Sequence, residues 1–323
     1  MNRKRLAAHK LNNLVQSASL LGGMAALVAL LGWLLAGADG VLWAVIIGVL
    51  ILWLSPRASP RLTLRWYGAR ALSRTEALGL YTLTDTLAER AQLPVAPELY
   101  YAPTPAMNAF AVGHRQQPAI AVTHGLLRNL SQRELAGVLA HEISHIRSND
   151  IWVMTLADTV SRVTGGLAFM GQLLLFINLP LLLFGATAIS WWAILLLLFA
   201  PTISLLLQLA LSRTREFDAD MDAVEITGDP LGLASALRKL DRHQGGLWQR
   251  LFFPGPRRRD SWILSTHPSS EERIRRLTEL AETDIPSVSS PMGLRAANFF
   301  SLLNEEATPR RSPWSWWFGR LQH

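Results

Sequence analysis

The chain has 323 residues, of which 50% are apolar and only 17% are charged, and its mean hydropathy is +0.21. Soluble domains normally carry charge on about a quarter of their positions, so this composition argues against a fully soluble protein. The net charge is +7, and 28 of the 31 basic residues are arginines. The sequence contains no cysteine. This excludes disulfides, thiolate nucleophiles and thiolate metal ligands, and it leaves histidine and carboxylates to hold any metal.

Most of the apolar excess lies in four segments, which are residues 20–36, 41–54, 167–184 and 189–211. A membrane-spanning helix needs roughly 20 apolar residues. Turn-like tips at 37–40 and 185–188 join the segments in pairs, which predicts two transmembrane hairpins. Residues 41–54 are short for a span, but Trp43 and Trp53 near their ends suit the aromatic belts of a membrane helix.

The basic residues indicate the orientation of these hairpins. They precede the first span, follow the second and follow the fourth, whereas neither hairpin tip contains Lys or Arg. By the positive-inside rule, the N-terminus, residues 55–166 and everything after residue 211 are cytoplasmic. The positive charge therefore indicates topology, and we expect no nucleic-acid partner. A cleaved signal peptide is the alternative for the first apolar run, but that run is too long and a second follows at once.

Between the hairpins, the pattern predicts a small α+β region. An amphipathic helix is predicted over residues 75–92. Short strand-like runs follow at 98–101, 109–112 and 119–123. A long helix then begins, because Ser131 and Glu134 have capping-box spacing. Its buried stripe is marked by Leu135, Val138, Leu139, Ile143 and Ile146.

This long helix carries the run His141-Glu142-Ile143-Ser144-His145. Residues four apart lie on one helix face, so His141 and His145 can bind one zinc ion. Glu142 then lies beside an open coordination position, where it can take a proton from water. The alternative is a charged helix face with two histidines of no special role.

A third metal ligand is predicted just after the fourth span. Two histidines and a carboxylate form a known catalytic zinc set. Glu216 and Asp220 are four apart, so Glu216 could bind the metal while Asp220 hydrogen-bonds a ligand imidazole. The alternative is that both carboxylates pair with Arg213 and Arg215 on a solvated helix face.

Together these motifs resemble the HtpX membrane zinc endopeptidases, which are relatives of the CAAX prenyl-protein endopeptidases in the gluzincin class. The resemblance covers about residues 15–283. It rests on blocks at residues 107–110, 140–145, 212–220 and 266–274, in the same order relative to the spans. It implies one Zn²⁺ per chain, bound by His141, His145 and Glu216. It further implies Glu142 as general base and then proton donor to the leaving amine, and Asp220 as the partner of a ligand.

The resemblance also implies roles for three residues whose spacing alone is uninformative. It implies that His267, together with Arg273, stabilises the oxyanion that forms during hydrolysis. It places Asn108 in a strand that lines the cleft, where a peptide can add by main-chain hydrogen bonds. From the residues alone, His267 reads as a structural loop histidine and Asn108 as a turn former after Pro105.

We therefore predict a mainly α fold with a small β-sheet, in which four transmembrane helices form two hairpins beside a cytoplasmic α+β protease domain of the zincin type. Residues 1–56 are the first hairpin and 163–211 the second. Residues 57–162 and 212–283 are the two parts of the protease domain, and 284–323 are a C-terminal tail.

The predicted function is that of an integral zinc endopeptidase of the bacterial inner membrane. We expect it to cleave membrane or misfolded proteins at a cytoplasmic site, in membrane-protein quality control. Glu216 follows Leu211 by five residues, roughly 7 to 8 Å along a continuous helix, so the zinc is expected just under the bilayer surface. The alternatives are a processing protease dedicated to lipidated or prenylated proteins and a non-catalytic zinc-binding membrane scaffold. The sequence predicts no particular oligomeric state.

Overall fold

The computed structural model describes residues 3–54, 64–65, 67–177, 179, 184, 191–251 and 270–283. Within these residues the helices are α1 (Arg3–Leu54), α2 (Leu78–Arg90), α3 (His124–Asn129), α4 (Gln132–Arg147), α5 (Asp150–Ile177), α6 (Trp191–Thr227), α7 (Pro230–Leu251) and α8 (Ser270–Thr283). The strands are β1 (Arg70–Ala71), β2 (Glu98–Ala102), β3 (Ala109–His114) and β4 (Gln117–Thr123). His267 and the predicted tail at 284–323 lie outside the described residues.

Three of the described helices are long and apolar enough to cross a membrane. These candidate spans are Asn13–Ile51 in α1, Asp150–Ile177 in α5 and Trp192–Thr227 in α6. They also carry most of the large apolar side chains that are exposed, such as Leu50 and Leu206. A contiguous apolar surface of this kind marks contact with lipid or with another protein. The apolar excess of the sequence is therefore concentrated in these helices.

The described residues contain three candidate spans rather than the four predicted, because residues 20–36 and 41–54 share the one stretch α1. Within α1 the backbone is not helical at Ala36 and Gly37, so the stretch consists of two helices joined at a kink, and the φ of 60° at Gly37 is one that glycine adopts without steric cost. Positions eight apart in a straight helix are about 12 Å apart. A β-carbon on Gly40, however, would lie only 1.9 Å from the carbonyl oxygen of Gly32. The backbone therefore folds back at the kink, and the two predicted segments are the two helical arms of α1.

Helices α5 and α6 pack against each other in antiparallel directions. The hydroxyl of Ser161 is 2.9 Å from that of Ser204, and the side-chain amide of Gln172 donates to the carbonyl of Leu197 at 3.0 Å. The two contacts occur in opposite chain order on the two helices, as an antiparallel pair requires. The tip predicted at 185–188 lies outside the described residues.

The sheet has the strand order β1-β2-β4-β3. Strand β2 is parallel to β4, whereas β1 and β3 are antiparallel to their neighbours. All three predicted strands are confirmed. Sequence analysis missed β1, because two residues are too few to display a strand alternation. Strand β3 is an edge of this sheet, and α4 packs beside it.

Helix α4 begins as predicted. Ser131 is its N-cap and forms a reciprocal capping box with Glu134. The predicted apolar stripe is buried in the main core, which also contains residues of α2, the sheet and α7. Helix α4 approaches α7 closely at Gly137, where a β-carbon would lie 3.0 Å from the α-carbon of Leu233. The cap and this close packing fix the helix that carries both predicted histidine ligands.

Candidate metal centre

The structure brings His141, His145 and Glu216 together. One ligand atom from each residue lies within 4.8 Å of the other two. The two Nε2 atoms are 3.2 Å apart. Carboxylate oxygens of Glu216 lie 3.4 Å from Nε2 of His141 and 3.6 Å from Nε2 of His145. His141 and Glu216 are each only 5% exposed and the side chain of His145 is 13% exposed, so the group is largely buried.

These separations fit a tetrahedral zinc site. Nitrogen and oxygen ligands at about 2.0 to 2.2 Å from zinc are about 3.3 to 3.6 Å from one another in a tetrahedron. The Nε2–Nε2 separation of 3.2 Å and the separation of 3.4 Å between Nε2 of His141 and Oε2 of Glu216 are close to that range, whereas the contact of 3.6 Å to His145 is made by the other oxygen, Oε1. Two histidines and one carboxylate leave a fourth position for water or substrate, which is typical of catalytic rather than structural zinc.

Two helices present the three side chains. His141 and His145 are one turn apart on α4 and therefore lie on the same face. Glu216 lies on α6, which packs against that face. As predicted, α6 continues unbroken from its apolar segment through Glu216 and Asp220. The apolar helix and the candidate metal centre are therefore parts of one continuous element.

Asp220 and Arg273 support His141. Oδ1 of Asp220 lies 3.1 Å from Nδ1 of His141, the contact predicted for Asp220. Arg273 donates two hydrogen bonds of 2.6 Å to Asp220, and its NH1 lies 2.8 Å from Glu216. Burial alone would lower the pKa of His141, but hydrogen bonds to Asp220 and Glu216 raise it to about 10. The cluster therefore strongly favours a positive charge, as a metal-binding site should.

The alternative of a solvated face for Glu216 and Asp220 is wrong. Their exposures are 5% and 4%, and both contact the buried guanidinium of Arg273 from another helix, α8. Burial would lower the pKa of Arg273, but the neighbouring carboxylates raise it above its ordinary value. Paired carboxylates and arginine with this degree of burial form part of the site's framework rather than a surface charge pattern.

His145 has a support that sequence analysis missed. Its Nδ1 lies 2.9 Å from Oδ2 of Asp150, the first residue of α5. Asp150 in turn lies 3.3 Å from NH1 of Arg215. Between α4 and α5, Asn149 takes a left-handed conformation with φ of 55°, which Asn tolerates better than most residues. The only available signal was Asn-Asp shortly after the second histidine, and it does not reveal that Asp150 contacts the histidine ring.

Glu142 points toward the edge of the sheet. Its carboxylate accepts a hydrogen bond of 3.0 Å from the backbone N–H of Ala111 in β3, and the residue is 6% exposed. The candidate general base is therefore held between the helix that carries the histidines and an edge strand. Sequence analysis did not anticipate this bond, because it joins residues 31 positions apart.

The register of β3 shows which of its backbone groups face away from β4. Thr123 donates its N–H to the carbonyl of Asn108, so Asn108 belongs to a hydrogen-bonded pair. Because such pairs alternate, the backbone groups of Ala109, Ala111 and Gly113 point to the other side. The bond from Ala111 to Glu142 agrees with this alternation. The groups that could receive an added strand therefore lie on the side of Glu142.

The structure places the other predicted residues as follows. Asn108 directly precedes β3, and its backbone bonds Thr123, which fixes the start of the edge strand. Arg273 directs its guanidinium to the carboxylates of Glu216 and Asp220. An oxyanion donor would instead direct its N–H groups toward the substrate. His267 lies outside the described residues, and its role stays a prediction.

A buried His-Glu-His helix, a carboxylate ligand from a neighbouring helix and an edge strand beside the glutamate together define a metalloprotease. Residues 75–281 match the model of Peptidase family M48. The chain belongs to this family.

Two similar proteins share one name, and each matches this chain over most of its length. The chain is 38% identical over 276 residues to a Protease HtpX homolog of Aquifex aeolicus (strain VF5), which covers 79% of this chain and 89% of that protein. It is 37% identical over 282 residues to a Protease HtpX homolog of Salinibacter ruber (strain DSM 13855 / M31), covering 83% and 98%. The solved structure titled "Crystal Structure of S. mikatae Ste24p" is 18% identical, with a TM-score of 0.43 and coverage of 84% of this chain and 66% of that chain. The protein is thus an HtpX-like M48 metalloprotease.

Proposed function

We propose that this protein is a zinc-dependent endopeptidase of the bacterial inner membrane, that its active site faces the cytoplasm, and that it cleaves membrane or misfolded proteins in quality control. The observation that carries the catalytic part is the buried group of His141, His145 and Glu216, with the carboxylate of Glu142 held between that group's helix and β3. Zinc is the proposed metal because the donors are two imidazoles and one carboxylate that lie close enough together to hold one ion.

In the proposed site, His141, His145 and Glu216 hold the metal. When bound, zinc supplies a Lewis acid that polarises the scissile carbonyl and lowers the pKa of water. Asp220 keeps Nδ1 of His141 occupied, so that Nε2 of this ring faces the site. The guanidinium of Arg273 contacts the carboxylates of both Glu216 and Asp220 and holds them in place. We assign Arg273 this positioning role rather than oxyanion stabilisation. Oxyanion stabilisation is proposed for His267, on the resemblance alone.

Glu142 moves the proton in the proposed reaction. Its carboxylate takes a proton from the attacking water, whose oxygen forms a bond to the scissile carbonyl carbon. The same carboxyl then gives that proton to the leaving amine nitrogen as the peptide bond breaks, so the products are a carboxylic acid end and an amine end, and the remaining proton of the acid passes to the amine or to solvent. Burial of Glu142 and its bond to the N–H of Ala111 fix the direction in which the carboxylate points.

The substrate is proposed to add to β3 as an extra strand. Ala109, Ala111 and Gly113 direct backbone groups to the side of Glu142, and backbone pairing tolerates many side chains. Asn108 fixes the start of this strand through its backbone bonds to Thr123. Broad tolerance is what an enzyme needs if its substrates share a damaged state rather than a sequence.

The proposed location rests on the apolar helices and on charge. Helix α6 is continuous from its apolar segment to Glu216, so the metal centre is expected close to the bilayer surface. Basic residues flank the predicted spans on the side that carries the site, which supports a cytoplasmic site. Substrates at that surface would be membrane proteins or segments next to the membrane, and the lipid bilayer is the remaining partner we propose.

The catalytic proposal is tested by Glu142→Gln in the purified, zinc-loaded full chain. Cleavage of unfolded casein should fall by about 10² to 10⁴-fold, the usual contribution of a general base, while one zinc per chain is retained. Glu89→Gln, at an exposed position on α2, is the matched control and should cleave as the parent does. A Glu142→Gln chain that cleaves at the parent rate would leave a zinc-binding scaffold as the better description.

The substrate proposal is tested by comparing cleavage of one sequence in a membrane-anchored and in a soluble form. One cleavable sequence is offered to the enzyme in proteoliposomes, first next to a transmembrane anchor and then in a soluble fusion. Faster cleavage of the anchored form is expected, because both partners are confined to one surface. Equal efficiency would count against membrane substrates while leaving the peptidase proposal intact.

The orientation is tested with introduced thiols, which the absence of cysteine makes straightforward. Asp39→Cys lies near the bend of α1 and Glu89→Cys lies on α2. In spheroplasts, a membrane-impermeant maleimide should label the first variant but not the second until the membrane is opened. The reverse pattern would place the site outside.

A further inference from the structure

The two candidate histidine ligands are supported in parallel ways. For His141, a carboxylate faces Nδ1 and an arginine faces that carboxylate, through Asp220 and Arg273. For His145 the same order recurs with Asp150 and Arg215. Each imidazole therefore lies between the ligand cluster on its Nε2 side and a carboxylate–guanidinium pair on its Nδ1 side.

The His145 pair is assembled from the start of one helix and the interior of another, which sequence spacing does not connect. Asp150 begins α5 only five residues after His145, and the left-handed Asn149 lies between the end of α4 and the start of α5. A carboxylate in the first turn of a helix is also favoured by the helix dipole. Arg215 comes from α6 and is the residue directly before the ligand Glu216.

Burial makes this pair more than a surface contact. The side chains of Asp150 and Arg215 are 3% and 14% exposed. A buried carboxylate without a partner is costly, and a nearby guanidinium offsets much of that cost. The two contacts of Asp150 also differ in length. Oδ2 of Asp150 is 2.9 Å from Nδ1 of His145, whereas Oδ1 is 3.3 Å from Arg215. The tighter contact of Asp150 is thus made to the histidine.

We infer that Asp150 and Arg215 are positioning residues for the metal centre, with Asp150 fixing the ring and tautomer of His145 and Arg215 fixing Asp150. This inference rests on the metal centre proposed above. A carboxylate on the far nitrogen of a ligand imidazole orients the ring and raises its basicity toward the metal. Arg215 acts on His145 indirectly, through its contact with Asp150. The competing description is a purely structural ion pair that joins α4, α5 and α6 and leaves the metal affinity alone.

The test uses the purified full chain with the additional Glu142→Gln change, so that self-cleavage does not interfere. Zinc dissociation constants are measured by competition with a chromophoric chelator for the parent, Asp150→Ala, Asp150→Asn, Arg215→Ala and Arg215→Lys. The visible spectrum of the Co²⁺ form reports ligand geometry, and thermal unfolding of the metal-free form reports stability. Asp158→Asn is the control, since Asp158 forms an exposed pair with Arg162 on the same helix α5.

Asp150→Ala should weaken zinc binding by about 10 to 100-fold and alter the cobalt spectrum, the usual consequence of losing such a partner. Asp150→Asn keeps an acceptor oxygen and should recover part of the loss. Arg215→Ala should weaken binding less than Asp150→Ala does, and Arg215→Lys less again. A double variant with Asp150→Ala and Arg215→Ala should bind zinc as weakly as Asp150→Ala alone does, because Arg215 acts through Asp150. Asp158→Asn should bind zinc as the parent does.

A zinc affinity within about twofold of the parent for Asp150→Ala, with an unchanged cobalt spectrum, would overturn the inference even if thermal stability fell. Should Asp150→Ala fail to fold, Asp150→Asn decides by the same two readouts, because it is nearly isosteric. These outcomes remain separate from those of the proposed function. If the parent itself binds no metal, the metal centre proposal fails. If the parent binds zinc and both Asp150 variants bind it equally well, only the positioning roles fail.

Discussion

Helix α4 has a polar cluster built around buried carboxylates at each end, and the two clusters differ in the partners of those carboxylates. At the N-terminal end, Glu134 accepts hydrogen bonds from Lys239 at 2.7 Å, from Ser235 at 2.7 Å and from Ser131. At the C-terminal end, carboxylates from α5 and α6 face histidines and are paired with arginines. The first cluster joins α4 to α7, whereas the second orients groups that hold a metal. Buried carboxylates around one helix can therefore serve stability at one end and chemistry at the other.

The largest effect that separates the two ends should come from Glu216→Gln, which keeps the shape of the side chain and removes its charge. Losing an outer partner of a metal ligand typically costs 10 to 100-fold in affinity, so losing a ligand itself should cost about 100-fold or more. The metal content after dialysis should fall well below one per chain, with peptidase activity lost in parallel. Glu134→Gln should retain one metal under the same treatment. Full metal occupancy in Glu216→Gln would break the comparison.

Glu134→Gln should have the next largest effect, on stability rather than on activity. Hydrogen bonds to a charged group are worth about 1.5 to 3 kcal/mol, and this carboxylate is 5% exposed, so a loss of about 2 kcal/mol is expected. A lower midpoint of thermal unfolding in detergent, with unchanged cleavage at 25 °C, would show it. Asp85→Asn is the control, because the exposed pair of Asp85 with Arg74 should contribute less than about 1 kcal/mol.

The contribution of Glu134 should also depend on pH. Burial would raise the pKa of Glu134, but bonds from Lys239, Ser235 and Ser131 lower it from 4.5 to about 2. A carboxylate with a lowered folded-state pKa stabilises fully above its unfolded value and loses that contribution as the pH falls through the folded one. The difference in unfolding midpoint between the parent and Glu134→Gln should therefore be constant above about pH 5 and should vanish near pH 2. A difference that grows on acidification contradicts this assignment.

The smallest effect should come from the polar contact between α5 and α6, far from either cluster. Ser204 is 1% exposed and its hydroxyl is 2.9 Å from that of Ser161, which is also within 2.8 Å of Gln208. Interhelical hydrogen bonds between membrane helices average about 0.6 kcal/mol. Ser204→Ala should therefore shift unfolding in a detergent titration only slightly more than Ser19→Ala, an exposed control on α1. A loss of several kcal/mol would mean that this contact matters as much as Glu134 does.

The parts of this fold that were predictable from sequence are those set by local spacing. The helical repeat placed His141 and His145 on one face, Ser131 and Glu134 gave the start of α4, and alternation gave the strand that includes Ala111. Each depends on residues within one element, whose geometry is the same in any protein. The continuity of α6 from its span to Glu216 was predictable for the same reason.

The parts that were missed depend on how elements meet. Asp150 reaches His145 across the break between α4 and α5, where Asn149 is left-handed, and Arg273 reaches Glu216 from a helix 57 positions away. No repeat in the sequence encodes either contact. The number of candidate spans differs from the prediction for another reason, since the two helices joined at Ala36 and Gly37 form one continuous apolar stretch.

The length of α6 has a mechanical consequence. Its 37 residues extend about 55 Å along the helix path, against a hydrocarbon thickness of about 30 Å, and the same continuous helix, which contains Pro201, carries Glu216. A slip of one residue along the axis would turn the segment that carries Glu216 by about 100° and move it by 1.5 Å, whereas productive sites tolerate about 0.5 Å. That segment therefore cannot slide to suit a thicker or thinner bilayer. Hydrophobic mismatch must be taken up by tilt or by lipid deformation, and this makes bilayer thickness a physical variable of the enzyme.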